Sequence, residues 1–422
     1  MATHSPPRQP ILYVIDEDFL PPDRGDEQEG PPEATDPAGD PDEAVRLFHR
    51  YRRLTADILG YEQELPGPAG EADIAAAEEK LGFPLPPDLR ALYGIADGDG
   101  DLVNALFDRH PWLAVAELGE QDDEWLDIAR DLDVEPWREV VFDACPPNAV
   151  RRSPLRAGWI RFASDTGGNW LAVDMEPGPG GRPGQVIEVG VDYTEGPVHV
   201  ADSVTTFLCR LVEALERGDH RRSGKNLWIE AGLPDPPGGH ATYGDSRPTP
   251  ARAERAGPRV QEVRVSDVTD SAFLAVLPEV RSLRLTSTGS PDLTPVGDRP
   301  VEYLELDVAS ADLTAPARNR ELRALSVTCA RPVELAPLRG LPRLWALDIA
   351  AAAVADLATV ADLAELRYLE VTRDQWEELS ACDGLPPLAV VGVHPHRPGS
   401  EERSPTVWEI MDDEPPSAAR RP

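Results

Sequence analysis

Two carboxylates and a carboxamide, Asp165, Asn169 and Asp174, fall within one short stretch, Trp159–Asp174 (WIRFASDTGGNWLAVD). Acids so spaced are raw material for general acid–base or metal chemistry. No nucleophile, base or metal partner accompanies them, and with 76 acidic residues in the chain a carboxylate pair is uninformative. Asp97, Asp99 and Asp101 alternate like the opening of a calcium loop, but Leu102 stands where that loop needs Gly and Asp108 replaces its closing Glu. His394 and His396 form HPH without a Cys or carboxylate at ligand spacing, which argues against zinc. Neither HExxH nor GxSxG occurs on a suitable element. Pro177–Gly184 (PGPGGRPG) imitates a phosphate loop in composition only, because it joins two strands and opens no helix. No catalytic, cofactor-binding or metal-binding residue is therefore expected, and the chain reads as a non-enzyme.

What remains of the stretch is a hairpin. Trp159–Ala163 and Trp170–Val173 alternate at period two, and Gly167-Gly168-Asn169 supplies the positive dihedrals of a tight reversal. Turn geometry explains the tip first. Partner contact through Asp165, Gly167, Gly168, Asn169 and Trp170 comes second, and chemistry last.

The bulk numbers narrow the partner. A chain of 422 residues accommodates several cores, and 45 prolines suggest domains separated by extended linkers. A net charge of −35 excludes nucleic acid and anionic membranes as natural partners and favours a basic protein. Cys145, Cys209, Cys329 and Cys382 are widely separated and read as free thiols. No signal peptide or membrane-length apolar run is apparent, so a cytoplasmic location is the expectation.

Along the chain, residues 1–39 are acidic and Pro-rich and are expected to be disordered, with Ile11–Leu20 a loosely attached apolar run or an added strand. Helices are expected from Asp40 to Gly60, over Glu71–Leu81, and from Pro86-Pro87 through Tyr93. Trp112–Leu118 reads as a strand and Asp122–Asp131 as a short helix. Strands follow at Val140–Phe142, Trp159–Ala163, Trp170–Val173 and Gln185–Val191, then a helix over Ser203–Arg217. Residues 40–231 thus form an α+β domain, helices packed on a small antiparallel sheet. Residues 232–258 read as a linker, and residues 395–422 as a disordered tail with one apolar spot at Val407–Met411.

Between them, over residues 259–394, a motif of form apolar-x-x-apolar-x-apolar begins at Val260, Val280, Val301, Leu322, Leu344, Leu366 and Leu388. The period is 20 to 22 residues, held for seven copies. This resembles leucine-rich repeats and implies an α/β solenoid with one strand per turn. The Asn or Cys ladder of that family is missing; Thr288, Ala309, Ala330, Ala352 and Asp374 stand in its place. Helical returns are expected over Val354–Leu366 and Gln375–Leu379. Residues flanking the second apolar position should share the strand face, among them Arg284, Tyr303, Glu305, Asp348, Tyr368 and Glu370. With two aromatics amid charges, that face is the second candidate for protein binding.

LGFPLPPDLRALY, a Gly/Asp turn, WIRFASDTGGNWLAVD, VIEVGVDY and a terminal helix stand in order over roughly Asp40 to Gly218. This series resembles the SUKH superfamily, named partly for a fungal cell-wall-assembly regulator. The resemblance implies a binding module without shared catalytic residues. Its bacterial members are commonly immunity proteins that neutralise secreted toxins, including nucleases and deaminases. A bacterial immunity-type protein is therefore the leading expectation. The alternative is a regulatory or scaffold protein in which the solenoid recognises the partner.

Overall fold

The computed structural model describes residues 10–16, 19, 24–100, 107, 110–119, 140–193, 195–224, 226–232, 239–243, 249–382 and 384–394. The chain divides into two compact units, Pro22–Pro237 and Met1–Pro21 with Gly238–Pro422. Its first strand, β1 (Ile11–Val14), belongs to the second unit.

In the unit Pro22–Pro237, α1 (Pro41–Leu59) starts where the Asp40 carboxylate accepts the Glu43 amide at 3.0 Å, and it stops at Gly60 with φ 80°. α2 (Glu71–Leu81) and α3 (Pro87–Tyr93) follow. The sheet is antiparallel and in sequence order: β2 (Trp159–Ser164), β3 (Asn169–Asp174), β4 (Gln185–Gly190) and β5 (Val198–Ala201). α4 (Val204–Arg217) is capped by the Ser203 hydroxyl, which accepts the Thr206 amide at 3.0 Å. A hairpin of β6 (His220–Ser223) and β7 (Asn226–Ile229) follows.

Alternation sorts the sheet residues between two cores. Ile160, Phe162, Leu171, Val173 and Val186 join the helices, while Trp159, Ala172, Ile187 and Val189 pack with Ala144, Ala149 and Val150. Trp112 anchors the first core, 2% exposed, with ring centroids 4.9 Å from Tyr93, 5.7 Å from Phe107 and 6.0 Å from Phe48.

Several expectations change here. Trp112–Leu118 is not a strand: Trp112 makes a single bridge to Ala163, and Val115–Glu117 is a 3-10 turn. Val140–Phe142 is buried but irregular, tied by the Phe142 amide to the Glu195 carbonyl at 2.6 Å. The expected helix Asp122–Asp131, the carboxylates Asp101 and Asp108 and the tail from residue 395 lie outside the described residues. The segment preceding α1 is held, not loose. The Arg151 guanidinium donates to the carbonyls of Gly25, Gln28 and Gly30 at 3.1, 3.0 and 3.0 Å. Its planar fork of five N–H groups suits several carbonyls at once.

The second unit is built on one long sheet. β8 (Gly239–Tyr243) and α5 (Pro250–Ala256) occupy the stretch expected to be a linker. Then come β9 (Val260–Val265), β10 (Ser282–Ser287), β11 (Tyr303–Val308), β12 (Ala324–Val333), β13 (Ala346–Asp348), β14 (Ala352–Val354), β15 (Tyr368–Thr372), α6 (Arg373–Ser380) and β16 (Val390–His394). The order is β1-β16-β15-β13-β12-β11-β10-β9-β8, with β14 paired to β12. Every pairing is parallel except that of β1, which adds antiparallel to β16.

The second apolar positions fall in one lateral register: Val263, Leu283, Leu304, Leu325, Leu347, Leu369 and Val391. All are at most 1% exposed. A repeat this short leaves few residues for the return, so the returns are mostly 3-10 turns. The expected helix over Val354–Leu366 is instead the 3-10 turn Leu357–Asp362, whereas Gln375–Leu379 lies within α6. In place of an Asn ladder, carboxylates start the returns: Asp270, Asp292 and Asp312 accept the amides of Ala272, Thr294 and Thr314 at 2.9 to 3.0 Å. Asp356 reaches the preceding turn and accepts the amides of Leu335 and Ala336 at 2.7 and 2.8 Å.

Candidate protein-binding surfaces

The tip between β2 and β3 is a closed polar network. Thr166 and Gly168 take φ of 62° and 101°, which explains the glycine. Asp165 accepts the amides of Gly167 and Asn169 at 2.6 and 2.9 Å, and the Asn169 carboxamide at 2.8 Å. The same carboxamide donates to Asp192 at 2.8 Å and accepts the Asp192 amide at 3.0 Å. Burial alone raises the Asp165 carboxyl, but these bonds from Asn169 and Gly167 outweigh it and hold it below the ordinary range. Asn169, 6% exposed, has both amide hydrogens committed inside the tip, to Asp165 and Asp192. Trp170 is half-buried under the Arg161 guanidinium, 5.1 Å from the ring centroid.

Asp174 lies at the other end of β3, paired with Trp159 and Gln185, so it does not share a site with Asp165. It accepts the Gln185 carboxamide and the Glu176 amide, each at 2.9 Å. Burial pushes its carboxyl up to about 7.

On the solenoid, one column of the strand face runs Arg264, Arg284, Glu305, Ser326, Asp348, Glu370 and Gly392 in lateral register. Its side chains interact along and across strands. Arg284 lies 3.7 Å from Glu305 and 4.0 Å from Glu262, Arg264 pairs with Glu262 at 2.9 Å, and Ser326 donates to Asp348 at 2.9 Å. Arg264 is 53% exposed, and Arg284 and Glu305 about a third.

The aromatics differ from expectation. Tyr303 and Tyr368 sit on the strand face but are buried, 1% and 8% exposed, with hydroxyls donated to Glu305 at 2.7 Å and Glu370 at 2.6 Å. Arg284 covers the Tyr303 ring at 5.4 Å. Glu370, 1% exposed, also meets His394 at 2.8 Å. These three residues build the face; Arg264, Arg284, Glu305 and Asp348 present it. Arg264 and Glu262 obey the same position rule and were legible from it.

The role of Asp88 was not legible in the sequence. In LGFPLPPDLRALY it marks a helix start, yet it is fully buried and accepts the Thr205 amide and hydroxyl at 2.9 and 3.0 Å. The Thr205 hydroxyl in turn accepts the Asp40 amide at 3.0 Å. One carboxylate thus ties the starts of α1, α3 and α4 together.

That motif and the tip network lie inside the span that the SMI1 / KNR4 family (SUKH-1) profile matches, residues 68–210. The chain carries a SUKH-1 domain. Its α1 precedes the matched span and α4 runs past it. Among curated relatives, a glucan synthesis regulatory protein of Neurospora crassa is 29% identical over 177 residues, covering 35% of this chain and 33% of its own. The cell wall assembly regulator SMI1 of Saccharomyces cerevisiae is 25% identical over 186 residues, 37% of each chain. A cell wall biosynthesis/cell cycle regulator of Schizosaccharomyces pombe is 32% identical over 157 residues, covering 35% of this chain and 31% of its own. The chain spans about a third of the length of these relatives, which are fungal and named as regulators, not as enzymes or immunity proteins. Internalin C2 of Listeria monocytogenes is 17% identical over 44% of this chain and 92% of its own, with a TM-score of 0.28. The solenoid itself is read from its strand register. No helix among the described residues is long and apolar enough to cross a membrane.

Proposed function

We propose that this chain is a non-catalytic regulatory protein that binds a protein partner through the strand face of its solenoid. The observation that carries this reading is the contrast between the two surfaces. Arg284 holds a part-exposed ion pair across strands with Glu305 and Arg264 stands 53% exposed on the same face, whereas the Asn169 amide hydrogens are both committed inside the tip. The part-exposed Arg284–Glu305 pair contributes roughly 0–1 kcal/mol to folding, so a partner can exchange it at little cost. The names of the fungal relatives support regulation. A cytoplasmic location belongs to the same reading.

Immunity is the second reading, in which the SUKH-1 domain grips a basic toxin such as a nuclease or deaminase. Its support is the net charge of −35, which draws basic partners. The test is partner capture by the full chain against two variants, R264E/R284E and N169A. Loss of the partner in the first alone supports the solenoid. Loss in the second alone moves recognition to the hairpin, and a captured basic toxin moves the function to immunity.

A further inference from the structure

The segment ahead of α1, residues 24–39, lies along the SUKH-1 domain without burying a side chain. Only Gly25 in it is buried, and glycine has none to bury. Five acidic residues against one arginine leave the segment with a net charge of −4. What holds it in place is a series of hydrogen bonds.

Two loops of the same unit form its seat. Residues 144–156 and 177–184 together carry four arginines and no acidic residue, in a chain whose net charge is −35. Backbone bonds lock the two loops together: the Gly178 amide donates to the Ala149 carbonyl and the Gly180 amide to the Asn148 carbonyl, each at 3.0 Å. A Cβ at Gly178 would stand 2.2 Å from the Asn148 oxygen, so glycine is what lets PGPGGRPG close on its neighbour. These bonds use no residue of 24–39. The domain builds the seat by itself.

The bonds follow the segment along its length. Arg156 donates to the Asp26 carboxylate at 3.1 Å and also stands 3.8 Å from Glu176. The Arg152 amide donates to the Gln28 side-chain oxygen at 2.7 Å, and the Gln28 carboxamide donates to Asn148 at 3.3 Å. Arg151 takes the carbonyls of Gly25, Gln28 and Gly30, the last with φ of 88°. Further on, the Glu33 amide donates to the Pro179 carbonyl at 3.3 Å, and Arg182 donates to the Asp36 carbonyl at 3.2 Å. Asp26, Gln28 and Gly30 therefore place an acid, a carboxamide and a positive φ at alternate positions.

We propose that this groove binds an acidic segment of a partner protein with the pattern Asp-x-Gln-x-Gly, and that residues 24–39 are an internal competitor for it. Charge complementarity selects the occupant, since the arginines attract an acidic segment and repel a basic one. Each hydrogen bond contributes roughly 1 kcal/mol net, and no apolar side chain is buried, so a partner that supplies the same bonds can displace the segment. Tethered beside its seat, the segment acts at an effective concentration on the order of millimolar. A partner must exceed it in contacts, which sets a threshold on binding.

The test titrates a fluorescein-labelled peptide of residues 24–39 against the full chain and reads anisotropy. D26R/G30V weakens the internal copy, by placing a cation beside Arg156 and a β-branched residue at positive φ. The D26R/G30V chain should bind the peptide at least about tenfold more tightly than the native chain does. The same peptide carrying D26R and G30V should lose that binding, and circular dichroism should match between the two chains. Failure of the D26R/G30V chain to bind, equal binding by the two chains, or full binding of the altered peptide each overturns the proposal.

Discussion

The Asp88 carboxylate lies 2.9 Å from the Thr205 amide, 117 residues later in the chain, and is wholly buried. It caps α4 from α3, and Gly39 leaves room for it: a Cβ there would stand 2.0 Å from the Asp88 carboxyl carbon. Asp88→Ala strands the part-buried amide and hydroxyl of Thr205 and should cost about 2–4 kcal/mol. Gly39→Ala should destabilise the same junction by about 1–3 kcal/mol through overpacking. Urea unfolding of the full chain checks both, and Asp88→Asn should recover part of the loss.

Asn169→Ala breaks three side-chain bonds at the hairpin tip and should cost about 1–3 kcal/mol. The Asp165 carboxyl should then titrate higher, nearer its ordinary range, as read by carboxyl NMR. Partner binding should stay at the native level.

Asp174 gives stability a pH slope of definite sign. Its carboxyl is raised to about 7 by burial, above the unfolded value of about 3.9. Between those values the folded chain binds the extra proton, so this contribution is present below about pH 4 and is lost as pH rises to about 7. The loss is on the order of 4 kcal/mol. Urea midpoints for the native chain should show this fall, and Asp174→Asn should flatten it.

In the solenoid, Asp356 joins adjacent turns through the amides of Leu335 and Ala336 and also accepts the Thr359 hydroxyl at 2.9 Å. Asp356→Ala should cost about 2–4 kcal/mol. Hydrogen exchange should rise first at the amides of Leu335 and Ala336.

The parts legible in the sequence were those that periodicity writes locally. Val263 through Val391 align as their spacing requires, and α1 runs between the Asp40 and Gly60 that signal its ends. What escaped depends on distant groups. Nothing near Asp88 announces Thr205, and nothing near Arg151 announces the carbonyls of Gly25, Gln28 and Gly30. Tyr303 reads as an exposed aromatic by position, but its burial depends on neighbours such as Arg284, one strand away. The stretch read as a linker holds β8 and α5, because β8 finds its hydrogen bonds on β9 and not within itself. At the hairpin, spacing located Asp165 and Asn169 correctly; only their mutual bonds show that they are occupied.

The claim that the solenoid strand face carries recognition is tested most directly by measuring partner capture by the full chain with R264E/R284E. The variant should still unfold cooperatively, at a lower urea midpoint because the buried Glu262 loses both its cations, and should lose the partner that the native chain and Asn169→Ala both retain. Undiminished capture by folded R264E/R284E would contradict the account.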